Sequence, residues 1–431
     1  MGGAFAAGVA GNEIVNVRRG HHQGDPSELT INCPDKVGLG CDFARIVFEF
    51  GLSVVKGDFS TDGKWCFVVL WVVPRVRRPV QWSLLKRRIE EVCPSIETQF
   101  TPPLIPPVSS RKVLLLQVCS SDRTGLLNDV VQKLWELEFT IHKVKVSTSP
   151  DNKAINLFFV TDNQDTRDNR NKLPLKKRGE QVGDQLKDLL GSSFSYSDLS
   201  EASPEMADLS CAPLVHTVAK DLFADVISPT ETENDRSRGG SHTSLGGEGT
   251  MVTIDNSISP VHSLLQVTCK SHKGLVYDCL RTLKDVNLQV AHGRVATLEN
   301  GSTEINIFLL RTEGRKITDV EKQKLLCRCM HAEVQHPLRV VVVSRGPDTE
   351  LLVATPIELC GRGRPRVLYD VTLALRELSI CIFKADIGRH VVADRQWEIY
   401  RFLLIDRPDL SLTSSRIRSL IAERVQRILM G

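Results

Sequence analysis

The sequence predicts an α+β fold of four tandem units, with helices covering one face of antiparallel sheets. Three observations predict it. An 18-residue block recurs four times without gaps. Each block changes from helical to alternating apolar periodicity at the same point. The segments between blocks repeat in the same order.

The blocks are CPDKVGLGCDFARIVFEF (33–50), SSDRTGLLNDVVQKLWEL (120–137), CKSHKGLVYDCLRTLKDV (269–286) and GRGRPRVLYDVTLALREL (361–378). They align on Asp42, Asp129, Asp278 and Asp370. Apolar residues follow each aspartate at matched offsets: Phe43, Val47 and Phe50; Val130, Leu134 and Leu137; Cys279, Leu283 and Val286; Val371, Leu375 and Leu378. Their spacing marks one helix face. The pairs Leu52/Val54, Phe139/Ile141, Leu288/Val290 and Ile380/Ile382 then begin a strand.

That strand meets a turn signal at 61–64 (TDGK), 149–153 (SPDNK) and 299–302 (ENGS), with a weaker one at 393–396 (ADRQ). A β-rich run follows in each repeat: WCFVVLWV, AINLFFVT, EINIFLLR and WEIYRFLL. Second helices are expected over 80–92, 176–190, 317–334 and 414–429. A strand precedes every block, at 29–33, 112–118, 263–269 and 351–359.

The order β-α-β-β-α, closed by a last strand, is the ferredoxin-like split βαβ. Candidates for the last strand are IETQF (96–100), FSYSDL (194–199) and LRVVVVS (338–344). Repeat four reaches Gly431 directly after its second helix, so it reads as truncated. One such unit buries little surface and leaves sheet edges open, so repeats should pair. The short connections at 101–110 and around 345–350 point to pairing of one with two and three with four. The expected layout is a flexible tail (1–26), repeat one (27–101), repeat two (111–199), a partly disordered linker (200–259), repeat three (260–345) and divergent repeat four (349–431). Within the linker, 213–227 reads as a helix and 228–249 as disordered.

Composition bounds function. The chain has 431 residues, is 41% hydrophobic and 25% charged, and carries a net charge of +3. That balance predicts no strong attraction to nucleic acid or membrane, and no apolar run has transmembrane length. The N-terminus lacks the features of a myristoylation site, secretory signal or transit peptide. None of the twelve cysteines forms C-x-x-C. Several, such as Cys66, Cys119, Cys269 and Cys381, sit in apolar patterns and read as buried thiols in a reducing compartment. The spacing of Cys327, Cys329, His331 and His336 does not match structural zinc patterns. Basic runs at 75–78, 86–88 and 175–180 read as solvated helix faces, or as a nuclear signal. A cytoplasmic location, with the nucleus as an alternative, follows.

CPDKVGLGCDFAR and SSDRTGLLNDVVQKL resemble the ACT-domain signature D-R-x-G-L-L. The four-repeat layout, MVTIDNSISPVHSLLQVTC (251–269) and RGRPRVLYDVTLALREL resemble the plant ACT-domain repeat proteins. These are similar to the ACT region of bacterial uridylyltransferase nitrogen sensors, without the catalytic part. The resemblance implies a regulatory protein that binds amino acids at a paired-repeat interface, against the glycine loop, and signals to a partner protein. Pairing would occur within the chain or in a homo-oligomer.

Loop physics agrees. A helix N-terminus offers unpaired N–H groups and a positive dipole end to a carboxylate. On this reading Gly38, Gly125 and Gly274 turn the chain and admit a ligand, or only turn the chain. Asp35 or Asp122 would accept from the ammonium, and Leu39, or Leu126 and Leu127, would form an apolar wall. The repeated aspartates read as helix-dipole partners. In repeat four Arg366 stands where the glycine should be, which makes a site there doubtful.

A ligand-free scaffold fits the same residues. An RNA-binding module is suggested by Trp65, Phe67 and Trp71, which alternate on one strand face. That face reads instead as apolar surface buried in a repeat pair, and no nucleic-acid partner is expected. No catalytic motif is present, so no enzyme activity and no cofactor are expected.

Overall fold

The computed structural model describes residues 13–22, 24–75, 79–94, 112–164, 173–203, 205–206, 208, 212–227, 242–247, 249–392, 395–405, 412 and 414–431. In chain order the elements begin with β1 (Val15–Arg18), β2 (Ser27–Pro34), α1 (Leu39–Glu49), β3 (Leu52–Thr61), β4 (Trp65–Pro74) and α2 (Trp82–Val92). Repeat two supplies β5 (Leu114–Ser121), α3 (Leu126–Glu136), β6 (Phe139–Thr148), β7 (Lys153–Asp162), α4 (Leu175–Leu190) and β8 (Phe194–Glu201). Then come β9 (Ala212–Pro213) and α5 (His216–Ile227). Repeat three follows with β10 (His242–Gly247), β11 (Thr250–Asp255), β12 (Ser263–Lys270), α6 (Leu275–Asp285), β13 (Leu288–Thr297), β14 (Ser302–Arg311) and α7 (Val320–Gln335). The chain closes with β15 (Arg339–Arg345), β16 (Asp348–Pro356), α8 (Val367–Glu377), β17 (Ile382–Val392), β18 (Arg395–Leu404) and α9 (Ser415–Met430).

These elements form two units. Met1–Leu104 with Arg236–His336 makes unit 1, and Ile105–Asp235 with Pro337–Gly431 makes unit 2. The expected tandem pairing is therefore overturned: repeat one pairs with three, and two with four. Unit 1 has one sheet in the order β1-β2-β4-β3-β13-β14-β12-β11-β10. Unit 2 has the order β15-β16-β18-β17-β6-β7-β5-β8, with β9 beside β17. The repeats join edge to edge, through β3 against β13 and β6 against β17, both antiparallel. Opposed charges meet at these seams. Asp58 lies opposite Arg294, whose Nε donates to its Oδ1 at 3.0 Å, and Lys145 lies opposite Asp386.

The outer edges hold a second departure. FSYSDL covers β5 as β8, in the expected place. LRVVVVS does not close repeat three; as β15 it pairs with β16 and completes repeat four, which is therefore not truncated. The connection at 345–350 is a hairpin turn with Gly346 at φ 67°. In repeat three the edge beside β12 is taken by β11 and β10, out of the segment expected as linker. In repeat one it is taken by β1, out of the expected tail. The reason is local: an antiparallel hairpin covers an edge equally well from either chain end, at small loop-closure cost. IETQF, the connection at 101–110 and most of 228–249 lie outside the described residues.

The inward faces follow the alternation in the sequence. In unit 2, Leu116, Val118, Phe158, Leu351, Val353 and Phe402 pack under the repeat helices in one core. The neighbouring outward residues Leu352, Ala354 and Ile399 meet Val218, Leu222 and Phe223 of α5. The linker helix thus covers the opposite sheet face, an exception to helices lying on one side only. Arg339 fastens it, donating from Nη1 to Leu222 O at 3.1 Å and standing 5.3 Å from the Phe223 ring.

Two surface expectations also change. Trp65 and Phe67 are 40% and 43% exposed, not buried in the repeat pair, because edge-to-edge joining does not stack that face on the partner repeat. In the basic run 175–180, Arg178 is buried rather than solvated. Its Nε donates to Asp162 Oδ2 at 2.7 Å and its Nη2 to Leu137 O at 2.6 Å. Among the cysteines, Cys66 and Cys269 are buried, and burial pushes both thiols up to about 12. Cys119 and Cys381 are only half-buried.

Candidate functional site at the glycine loops

Each repeat turns from strand into helix through one left-handed residue. Gly38 and Gly125 have φ 80°, Gly274 has φ 84° and Arg366 has φ 66°. Three of the four use the residue that tolerates this region without a Cβ clash. Arg366 accepts the strain and lays its guanidinium 4.6 Å from the Tyr369 ring, with Asp370 3.5 Å away.

The two loop aspartates have structural partners. Asp35 accepts at Oδ2 from Thr61 Oγ1 at 2.5 Å and at Oδ1 from the Lys36 N–H at 2.7 Å. Asp122 accepts at Oδ2 from Thr148 Oγ1 at 3.2 Å. Both carboxylates tie the loop to the end of the next strand. Burial pushes the Asp122 carboxyl above its ordinary value, against the opposing pull of the Thr148 hydrogen bond. Leu39, Leu126 and Leu127 are buried, the last two in the unit 2 core.

The paired repeat supplies what the loop itself lacks. In unit 1, α6 brings Lys284 over Gly38, and its Nζ donates to Asp42 Oδ1 at 3.1 Å. In unit 2, α8 brings Arg376 over Gly125, and its Nη1 donates to Asp129 Oδ1 at 2.7 Å. Arg123 donates to the other Asp129 oxygen at 2.6 Å. Asn128 bridges the same helix pair, donating to Tyr369 O and Thr372 Oγ1, each at 3.1 Å. Asp42 and Asp129 are therefore cross-repeat ion-pair partners as well as first-turn acids.

This arrangement accounts for part of the pairing. Lys284 and Arg376 stand six residues after their repeat's aspartate; the same position holds Phe48 in repeat one and Trp135 in repeat two. Pairing one with two would set aromatics against both aspartates. Sequence reading missed these cations although the signal was present: the position is basic in two repeats and aromatic in the others.

Two clefts result. One, of about 380 Å³ counted out to open solvent, lies at the Gly125 loop and is lined by Asp122, Arg123, Leu127, Asn156, Arg376 and Cys381 among others. The second, of about 320 Å³, lies at the Gly274 loop against Val47, Phe48, His272 and Tyr277. The first gathers two cations and a carboxylate around a helix N-terminus; the second is lined by apolar side chains together with Ser53, Ser271, His272 and Tyr277, and by no lysine or arginine. Because Arg376 is 44% exposed, Arg376→Ala should cost only about 0.2–1 kcal/mol of stability in a thermal melt.

Comparison with known proteins decides the family. Residues 17–94 match the family described as ACT domain-containing protein ACR10, N-terminal. Residues 251–348 match the ACR9-like, ACT-like domain, and 349–431 match ACT domain-containing protein ACR9, C-terminal. ACT domain-containing protein ACR10 of Arabidopsis thaliana is 42% identical over 98% of this chain and 99% of its own length. The chain belongs to the plant ACT-domain repeat proteins. ACT domain-containing protein ACR9 of Arabidopsis thaliana is likewise 42% identical, over 98% of this chain and 100% of its own length. ACT domain-containing protein ACR5 of the same plant is 21% identical over 84% of this chain and 76% of its own. The matched ACT families indicate no catalytic class. Among the described residues no helix is long and apolar enough to cross a membrane.

Proposed function

We propose that this ACT-repeat protein is a non-catalytic regulator that binds a free amino acid at the Gly125 loop and signals to a partner protein. The observation that carries the reading is the composition of the unit 2 cleft. A left-handed glycine opens a helix N-terminus, and Arg123, Arg376 and Asp122 offer opposite charges to the two ends of a zwitterion. Leu126 and Leu127 form the apolar wall. The Gly38 loop, with Asp35 and Leu39, lines neither of these clefts, and the Gly274 cleft has no lysine or arginine among its lining residues, so both are assigned structural roles. Ligand would draw Arg376 toward its carboxylate and loosen the Asp129 contact between α3 and α8. Coupling of this kind is typically about 1–3 kcal/mol. Among the described residues the cysteines form no disulfide and six of them are buried, which fits a reducing compartment, cytoplasmic or nuclear.

Calorimetry of the full chain against all twenty amino acids tests the proposal; no heat and no thermal shift with any of them would refute it. The pH dependence is a further check. With Asp122 accepting from the ammonium, affinity should fall as the pH drops through its raised carboxyl range. The sign for stability is opposite. A raised folded pKa favours the protonated form, so the carboxylate opposes folding at neutral pH. Asp122→Asn should therefore abolish the pH dependence of binding without lowering the melting temperature at pH 7.

A further inference from the structure

Asn156 lies on β7 with 1% of its surface exposed, and it lines the Gly125 cleft. Neither its Nδ2 nor its Oδ1 has a hydrogen-bond partner among the described residues. Nearby on the inward face of β5, Ser120 is fully buried and its Oγ is likewise unpartnered among them. Buried polar side chains are usually bonded, and an orphaned amide in a packed interior is costly.

The other repeats show that the fold does not require this. Ser120 aligns with Cys33 and Cys269. Val118, two residues earlier, pairs directly with Asn156; the equivalent pairs are Ile31 with Val68 and Val267 with Ile305. Val68 and Ile305 are buried and apolar. Repeat two thus replaces a thiol and an aliphatic side chain with a hydroxyl and an amide, at the loop where the paired repeat brings an arginine.

An amide presents a donor group, the Nδ2 with its two N–H bonds, beside an acceptor, Oδ1. A ligand carboxylate satisfies only Nδ2 and adds a buried charge. An ammonium satisfies only Oδ1, and an aliphatic group satisfies neither. A hydroxyl or a carboxamide can donate and accept, and so meets both atoms without burying charge.

We infer that Asn156 is the specificity-determining residue of the Gly125 cleft, selecting amino acids with an uncharged hydrogen-bonding side chain over aliphatic ones of similar size. This rests on the proposed binding of an amino acid at that loop. The α-carboxylate and ammonium meet the loop mouth, and the side chain points down to Asn156.

The test is titration calorimetry of the full chain and of Asn156→Val, which installs the residue that repeat one carries. The panel is serine, threonine, asparagine and glutamine against alanine, valine and leucine. At least one of the first four should bind the natural chain about tenfold or more tighter than any aliphatic member. Asn156→Val should erase that ratio, by weakening the polar members toward the aliphatic ones. Its melting temperature should hold or rise, since the variant removes an unpartnered buried amide. Binding without polar preference, or a preference that survives Asn156→Val, overturns this inference and leaves amino-acid binding standing. A sharp fall in melting temperature also overturns it, by showing that Asn156 is bonded within the fold. No binding by any amino acid overturns both.

Discussion

Arg281→Ala is expected to cost about 3–5 kcal/mol of stability, because it removes one partner of a buried ion pair. Arg281 is 1% exposed on α6. Its Nη2 donates to Glu333 on α7, and its Nη1 donates to Asp285 Oδ2 at 3.3 Å. Burial alone would lower the guanidinium's pKa, but the surrounding acids, Glu333 foremost, hold it above its ordinary value. The substitution takes this cation away from Glu333, whose side chain is 7% exposed, in the packed α6–α7 interface. Replacing both residues, as in Arg281→Met with Glu333→Leu, should recover most of the loss, since a buried pair is often no more stable than an apolar one. Denaturant melts of the two variants check this. A double variant no better than Arg281→Ala would place the energy in packing rather than charge.

Gly125→Trp should abolish any amino-acid response of the chain. The glycine sits at φ 80°, and an added Cβ would lie 2.9 Å from Arg376 Cδ. Arg376 is long and half-exposed, so it can swing away; the indole would then fill the cleft it leaves. A non-glycine residue in the left-handed region costs about 1–2 kcal/mol. That is a measurable drop in melting temperature and far less than unfolding. Calorimetry on the folded variant, beside the natural chain, reads the result. A ligand that still binds Gly125→Trp with full affinity would move the site elsewhere. Gly274→Trp is the control: it carries the same backbone strain at a cleft assigned no ligand.

Much of this was legible in the sequence. The repeated block fixed the helix starts, and the left-handed turn appeared wherever Gly38, Gly125 or Gly274 preceded the aligned aspartate by four residues. Arg366, the non-glycine at the aligned position, holds the same conformation at a cost. The helix ends were less visible. Gly51, Glu138, Asn287 and Ser379 all take positive φ at one aligned position, yet only one is a glycine. The left-handed helix end is imposed there by the strand that follows, so residue type alone does not announce it.

The sequence by itself determined the local structure: which segments are helix or strand, which faces are apolar, where the chain turns, and that four like units exist. Those features depend on periodicities of a few residues, which the chain carries along its length. Only the tertiary structure decided which repeat pairs with which, that β1, β11 and β15 complete their sheets from the N-terminal side, and that α5 covers the opposite face. It alone set Arg376 over Gly125 and left Asn156 beneath it. Such contacts join residues more than 200 positions apart, as with Arg376 and Asp129. They depend on edge complementarity and opposed charge between repeats, and neither leaves a periodic mark on the chain.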